Sequence, residues 1–342
     1  MSLRVIVGVD AHLDSLALCA VAGSGKRLSR CELPNTVSGF SRAVRFATEC
    51  GAGRFAIEGG GSHGRALRRF LTTEGFEVTE VPTWRLDQLR RRGRGRKDDA
   101  TDAELAARVD LVEELPLTGR SELAEAIRVL RVQREGLVKQ QTAAINRMRA
   151  LLVEVDPARA AGMGRVRSRK TLQALSRAAY RGDLYRQTVA AAIRFEAKAA
   201  IERRDMIRYL EERLDQLLPP AGHALKEISG ISTIGAATII GETGDIERFA
   251  TPAQFAAWSG TAPLDASSGR HQRHRLNRRG NRQVNRVLHT AILTQLRIGG
   301  PAADYIARRT QQGKTKNEAI RAATRHLTTK TWRTIKNHPQ LT

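Results

Sequence analysis

The sequence predicts an α/β domain built on a mixed sheet, followed by two long helices and a mainly helical C-terminal segment. Its N-terminal third opens with β-like runs and continues with alternating helix and strand patterns. The middle holds two long apolar stripes at helical spacing, and the last third shows helix periodicity broken by an arginine-dense stretch.

The run RVIVGV from Arg4 to Val9 is β-branched and ends at Asp10. LALCAVA, Leu16 to Ala22, follows a short polar turn, and RLSRCEL, Arg27 to Leu33, alternates as a third strand. A helix pattern covers Ser38 to Cys50. The strand RFAIE ends at Glu58, a helix is expected from Ser62 to Thr73, and FEVTEV, Phe76 to Val81, reads as a further strand. Three strands followed by alternating helices and strands fit a ribonuclease H-like order, here assigned to residues 1–115.

Residues 116–220 read as a helical connector. Between Ser121 and Val155 apolar residues fall at Leu123, Ile127, Leu130, Leu137, Ile145, Met148 and Leu152, with Arg134 interrupting the stripe. A second stripe runs through Val189, Ile193, Ala197, Ala200, Ile207, Leu210, Leu214 and Leu217 and stops at Pro219-Pro220. With the basic linker Gly162 to Lys170 between them, the stripes suggest an antiparallel or dimerising coiled coil, a plain bundle being the alternative. Residues 221–342 form the C-terminal segment. There Gly230 and Gly235 suggest a turn between helices, either a helix-hairpin-helix whose amides grip a phosphate or a glycine helix cap, and a basic helix follows Gly313-Lys314.

Lys and Arg total 58 against 35 Asp and Glu, a net charge of +23, which points to a polyanionic partner and first to nucleic acid. No apolar run approaches the roughly 18 residues of a spanning helix, and the N-terminus lacks a signal-peptide layout, so a soluble cytoplasmic protein is expected. Cys19, Cys31 and Cys50 lack the spacing of a zinc site and read as core or near-core thiols. Aromatic residues make up 4% of the chain, which disfavours base stacking as the main mode of recognition and favours contact with the backbone and shape of helical nucleic acid.

Two groups of residues carry chemistry. Asp10 and Glu58 each close a strand and emerge at the same sheet edge if the strands are neighbours. Asp99 and Asp102, three apart in KDDATDAELAARV, share a face of a helix starting near Ala100, with Asp98 competing with Asp99. Carboxylates brought together repel, and an oxygen-only donor set suits Mg²⁺ or Mn²⁺, the metals of phosphodiester cleavage or transfer. His12 and His63 read as polar loop residues, with proton transfer the other possibility. The second group lies in PLDASSGRHQRHRLNRRGNRQVNR, where Ser267 or Ser268 before Gly269 offers a nucleophile. Arg270, Arg273, Arg275, Arg278, Arg279, Arg282 and Arg286 supply guanidinium groups for phosphate, and no carboxylate occurs from Ala266 to Ala303. A plain basic loop with a Ser-Ser-Gly turn is the simpler reading of this segment.

GVDAH, IEGGGSHG, KDDATDAELAA, SGISTIGAATIIGETGDIERFATPAQFAAWSGTAPLDASSG and LNRRGNRQVNRVLH together resemble the DEDD transposases of the insertion-sequence one-ten family, the bridge-RNA-guided recombinases related to the pilin invertase Piv. The resemblance covers nearly the whole chain in order. It implies a RuvC-like N-terminal domain, a coiled-coil connector and a C-terminal transposase domain with a catalytic serine. Its acidic residues fall on Asp10, Glu58, Asp99 and Asp102, and its serine on Ser268. It further implies Mg²⁺, double-stranded target and donor DNA, a structured bridge RNA, and a dimer or tetramer in which one subunit's carboxylates meet another's serine. KDDATDA departs from the family's usual Lys-Thr-Asp and supports Asp99 over Asp98, while the Ser267-Ser268 doublet leaves the nucleophile ambiguous. A RuvC-type junction nuclease using water and a non-catalytic architectural protein are the competing readings.

Overall fold

The computed structural model describes residues 4–59, 63–93, 99–115, 117, 121–162, 168–265, 274–275 and 280–338, with the backbone alone at 84, 90–93, 99–100, 162, 264–265 and 274–275. It divides into two compact units, Met1–Gly119 and Arg120–Thr342.

The first unit is a five-stranded mixed sheet of order β3-β2-β1-β4-β5. Its strands are β1 (Val5–Ala11), β2 (Ser15–Ala22), β3 (Arg27–Pro34), β4 (Arg54–Glu58) and β5 (Glu77–Val81), and its helices are α1 (Val37–Glu49), α2 (Arg65–Thr73), α3 (Thr83–Gly93) and α4 (Asp99–Glu113). β2 pairs antiparallel with both β1 and β3, while β1, β4 and β5 run parallel, which is the strand order of the ribonuclease H-like fold. The central strand β1 is apolar on both faces because both are covered. Val7, Val9, Phe55 and Ile57 pack against Phe40, Ala43, Leu67 and Leu71 of α1 and α2. Ile6, Ala17, Cys19 and Ala56 pack against Ala103, Ala106 and Ala107 of α4. Small residues on α4 permit a close approach: a Cβ on Gly8 would fall 1.8 Å from the Ala103 carbonyl oxygen. The edge strand β3 is largely exposed and carries Arg27, Arg30 and Glu32, charges that discourage edge-to-edge pairing.

The second unit is mainly helical: α5 (Glu122–Val155), α6 (Pro157–Gly162), α7 (Arg169–Leu175), α8 (Leu184–Leu217), α9 (Pro220–Lys226), α10 (Thr233–Thr243), α11 (Pro252–Trp258), the short strands β6 (Leu264–Asp265) and β7 (His274–Arg275), α12 (Arg282–Ile298), α13 (Pro301–Gln311) and α14 (Lys316–Asn337). The two long helices pair antiparallel within the chain. Arg134 bonds Glu211, Gln141 bonds the Ala200 carbonyl and Arg147 bonds Glu196, so positions advance along α5 as they recede along α8. Arg134 interrupts the apolar stripe because its guanidinium reaches across to Glu211, 2.6 Å away. One end of this hairpin closes over Met148, Leu152, Leu172, Leu175, Val189 and Ile193. Ile127 and Leu214, toward the other end, join the core formed with α9 to α14.

Between α9 and α10 the turn contains Gly230, at φ 88°, but Gly235 lies inside the first turn of α10, buried. The Gly235 amide donates to the Ser232 side chain that caps the helix, so it is not available to a phosphate. Gly230 is where backbones meet: a Cβ there would fall 2.6 Å from the Ala291 carbonyl oxygen. Among the described residues no helix is long and apolar enough to cross a membrane.

Candidate active site

The site starts from strand pairing. Asp10 on β1 and Glu58 on β4 are register partners in the parallel pair, so their side chains leave the same face at the same level. Alternation places Ile6, Gly8 and Asp10 of β1, and Arg54, Ala56 and Glu58 of β4, on the face covered by α4. Asp102, in the first turns of α4, reaches the same point. One carboxylate oxygen from each of Asp10, Glu58 and Asp102 lies within 4.8 Å of the others, and the residues are 7%, 8% and 2% exposed.

Buried carboxylates this close repel, and low exposure removes most of the water that would screen them. A cation between them reverses the sign of that interaction. The set consists of carboxylate oxygens, the donor chemistry of hard divalent ions, and so fits a magnesium-like metal better than zinc. Asp99 begins α4, three residues before Asp102, with its side chain outside the described part; Asp98 lies wholly outside it.

The rim carries polar groups. His12 Nε2 lies 3.2 Å from Asp10 Oδ2. Asn35 donates to the carbonyls of both His12, at 2.7 Å, and His63, at 3.1 Å, and so joins the segments that leave β1 and precede α2. Asn35 carried no signal in the sequence, because an Asn after a strand-ending Pro reads as an ordinary turn residue.

Ser267 and Ser268 lie outside the described residues, as do Arg270, Arg273, Arg278 and Arg279; Arg275 is described only as backbone in β7. Arg282 and Arg286 are exposed on the first turns of α12, whose N-cap is Asn281. Arg286 is partly engaged, bonding Gln283 at 2.7 Å and lying 3.7 Å from Glu135.

Residues 7–157 match the DEDD model of the IS110 type, described as a transposase, and residues 222–307 match the model described as transposase IS116/IS110/IS902 family. The chain belongs to the IS110 family of DEDD transposases. Among the relatives of this IS110-family chain, a putative transposase y4pF/y4sB of Sinorhizobium fredii is 27% identical over 80% of the chain and 67% of the relative. A probable family 20 transposase of Pseudomonas aeruginosa is 29% identical over 57% of the chain and 58% of the relative, so the match spans well short of that relative's length. A solved structure of T. thermophilus RuvC in complex with a Holliday junction substrate is 15% identical, covers 30% of this chain and 90% of that one, and has a TM-score of 0.26. The strand order given above, rather than that score, describes the N-terminal fold of this IS110-family transposase.

Proposed function

We propose that the chain is the transposase and site-specific recombinase of an insertion sequence, guided by a structured bridge RNA, which cuts and exchanges DNA strands through a covalent phosphoserine. The observation that carries this reading is the convergence of Asp10, Glu58 and Asp102 at one buried point, in a chain of a DEDD transposase family. Asp99 completes the acidic set, which would hold Mg²⁺, or Mn²⁺ in its place.

When bound, the metal supplies Lewis acidity at the scissile phosphate. Asp10, Glu58 and Asp102 would hold that metal, and the sheet on one side and α4 on the other exclude water from beneath it. Ser268 Oγ attacks phosphorus and forms a phosphoserine ester, its proton passing to solvent or to a rim group, while a deoxyribose oxygen leaves. The ester bond is conserved, so a deoxyribose hydroxyl of the other DNA end can later displace the serine. Arg270, Arg273, Arg275, Arg278, Arg279, Arg282 and Arg286 neutralise charge on the DNA backbone. The protein acts in the cytoplasm on double-stranded DNA, as a dimer or tetramer in which carboxylates and serine come from different subunits.

A second reading is supported by one feature: the three carboxylates gather within the first unit alone, as a water-using RuvC-type nuclease requires. A nicked suicide duplex built from DNA flanking the gene separates the two. Covalent protein–DNA product that disappears in both Ser268→Ala and Asp10→Ala supports the recombinase. If Ser268→Ala cuts normally while Asp10→Ala does not, the nuclease reading is right.

A further inference from the structure

The arginine-dense segment departs after Gly260 and returns at Gly280, and its two ends meet. A Cβ on Gly280 would fall 2.1 Å from the Gly260 amide nitrogen, closer than any side chain tolerates. The Asn281 amide donates to the Trp258 carbonyl at 2.6 Å. Asn285 Nδ2 donates to the carbonyls of Ser259, at 3.2 Å, and Gly260, at 3.1 Å. Farther out, Leu264 and Asp265 pair with Arg275 and His274.

Asn281 has a second partner. Its Oδ1 caps α12 by accepting from the amides of Gln283, at 3.1 Å, and Val284, at 3.0 Å. Its Nδ2 donates to Glu242 Oε2 at 3.0 Å. Glu242 is 5% exposed on α10, and its other oxygen accepts from Arg131 Nη2 of α5 at 2.8 Å, with Arg128 Nε 3.6 Å away. A cap alone needs an acceptor, which Ser or Asp supplies equally well. Asn281 accepts from the helix through one atom and donates to a buried carboxylate through another, whereas an ionised Asp has no proton to give and the shorter Ser has a single oxygen for both. α10 is otherwise apolar or small along its buried surface, where an aliphatic residue would pack without the desolvation cost of Glu242. A retained buried charge of this kind is best attested as a device that fixes register.

We propose that Asn281 and Glu242 are positioning residues for DNA strand cleavage: their hydrogen bond locks the base of the arginine-dense segment to α10 and α5 and thereby sets the direction from which its serine approaches the phosphate. The proposal rests on the recombinase reading for the serine, but not for the scission it controls. Cleavage depends steeply on such placement, since displacements of about 1 Å cost on the order of 100-fold in rate.

The test uses full-length protein, with its copurifying nucleic acid, on the suicide duplex, measuring total scission and covalent adduct separately. Asn281→Ser keeps the cap and deletes the bond to Glu242. It is expected to slow single-turnover scission about 10- to 100-fold, with the Kd for DNA and its salt dependence within about threefold of wild type and the thermal midpoint retained. Asn281→Asp places a second carboxylate against Glu242 and is expected to be at least as slow. In Glu242→Gln/Asn281→Asp the donor and acceptor trade places with the cap intact, and most of the rate returns. Loss of DNA affinity in parallel with rate, an unchanged scission rate in Asn281→Ser, or failure of the exchanged pair to recover overturns the proposal. Hydrogen exchange on the free protein gives a readout apart from activity: the Asn281 amide, bonded to Trp258, loses protection in Asn281→Ser and regains it in the exchanged pair, and unchanged protection overturns the clamp. If Ser268→Ala still forms adduct, the serine assignment falls, while the clamp stands or falls on total scission.

Discussion

Arg54 and Asp110 form a buried two-pronged ion pair at the end of β4 opposite the acidic cluster, and this pair fixes where Asp102 stands. Arg54 Nε and Nη2 donate to the two Asp110 oxygens at 2.6 and 2.8 Å, and Nη2 also reaches the Leu115 carbonyl at 2.7 Å. Burial alone would lower the Arg54 pKa, but the hydrogen bond and charge of Asp110, aided by Glu77, hold it above its ordinary value. From Arg54 to Glu58 the strand advances about 13 Å at ~3.3 Å per residue, and from Asp110 back to Asp102 the helix covers about 12 Å at 1.5 Å per residue. Pinning one end of α4 to β4 therefore brings Asp102 level with Glu58. Removing one partner, as in Arg54→Met or Asp110→Asn, should cost about 3–5 kcal/mol, because the remaining group stays buried without its counter-charge. Urea unfolding of the full chain should show that loss, and the apolar pair Arg54→Met/Asp110→Leu should recover most of it. A loss below about 1 kcal/mol in either single variant would mean that the pair does not hold the helix.

The acidic cluster should make the metal-free protein less stable than it could be. In EDTA, Asp102→Asn removes one of three mutually repelling charges and is expected to raise stability by about 1 kcal/mol, a few degrees in midpoint. Millimolar Mn²⁺ should raise the wild-type midpoint further through binding to the folded state and leave the variant unmoved. Thermal melts with and without metal check both arms. An equal metal-induced shift in the two proteins would place the ion elsewhere.

What the sequence made legible follows from how far apart the cooperating residues are. The strands were readable because β-branched runs covered on both faces are dense in apolar residues, and the neighbourhood of Asp10 and Glu58 was readable because each closes a strand. Arg54 and Asp110 are 56 residues apart, and each alone reads as a solvated end of its element. Arg134 breaks its apolar stripe, and the Glu211 that explains it lies 77 residues further on, beyond the reach of any local pattern. Periodicity could not say whether the long helices pair with each other or with another chain, because both solutions bury the same stripe. Gly235 stands inside α10 and not in the expected turn, because a glycine three residues after Ser232 looks the same in sequence whether it ends one helix or opens the next.

Cys19 should behave differently from the other thiols. It is wholly buried on β2, and its pKa is pushed up to about 11, first by burial and then by the Glu104 carboxylate. Burial also raises those of Cys31 and Cys50, which are partly exposed. A raised thiol pKa stabilises the fold below the unfolded value near 9, and that contribution is lost as pH rises through about 11. At pH 8 a disulfide reagent such as DTNB should label Cys31 and Cys50 slowly and Cys19 only after denaturation. Rapid labelling of Cys19 in the folded protein would contradict the packing of α4 over β2.

Gly8 should link packing directly to catalysis. It lies on β1 two residues before Asp10, beneath α4, and an added Cβ would sit 1.8 Å from the Ala103 carbonyl oxygen and 2.7 Å from the Ala107 amide nitrogen. Both neighbours are backbone, so the clash cannot be relieved by a side-chain rotation, and α4 must move away from the sheet. Gly8→Ala should therefore cost about 1–3 kcal/mol by overpacking. The same movement carries Asp102 away from Asp10 and Glu58, so Mn²⁺ affinity and DNA scission should fall together, by about tenfold or more, at temperatures where the variant remains folded. Gly53, on the sheet's approach to β4 with open space around its Cβ position, provides the control: Gly53→Ala should leave metal affinity unchanged. Equal metal affinity in Gly8→Ala and wild type would show that the position of α4 does not govern the acidic site.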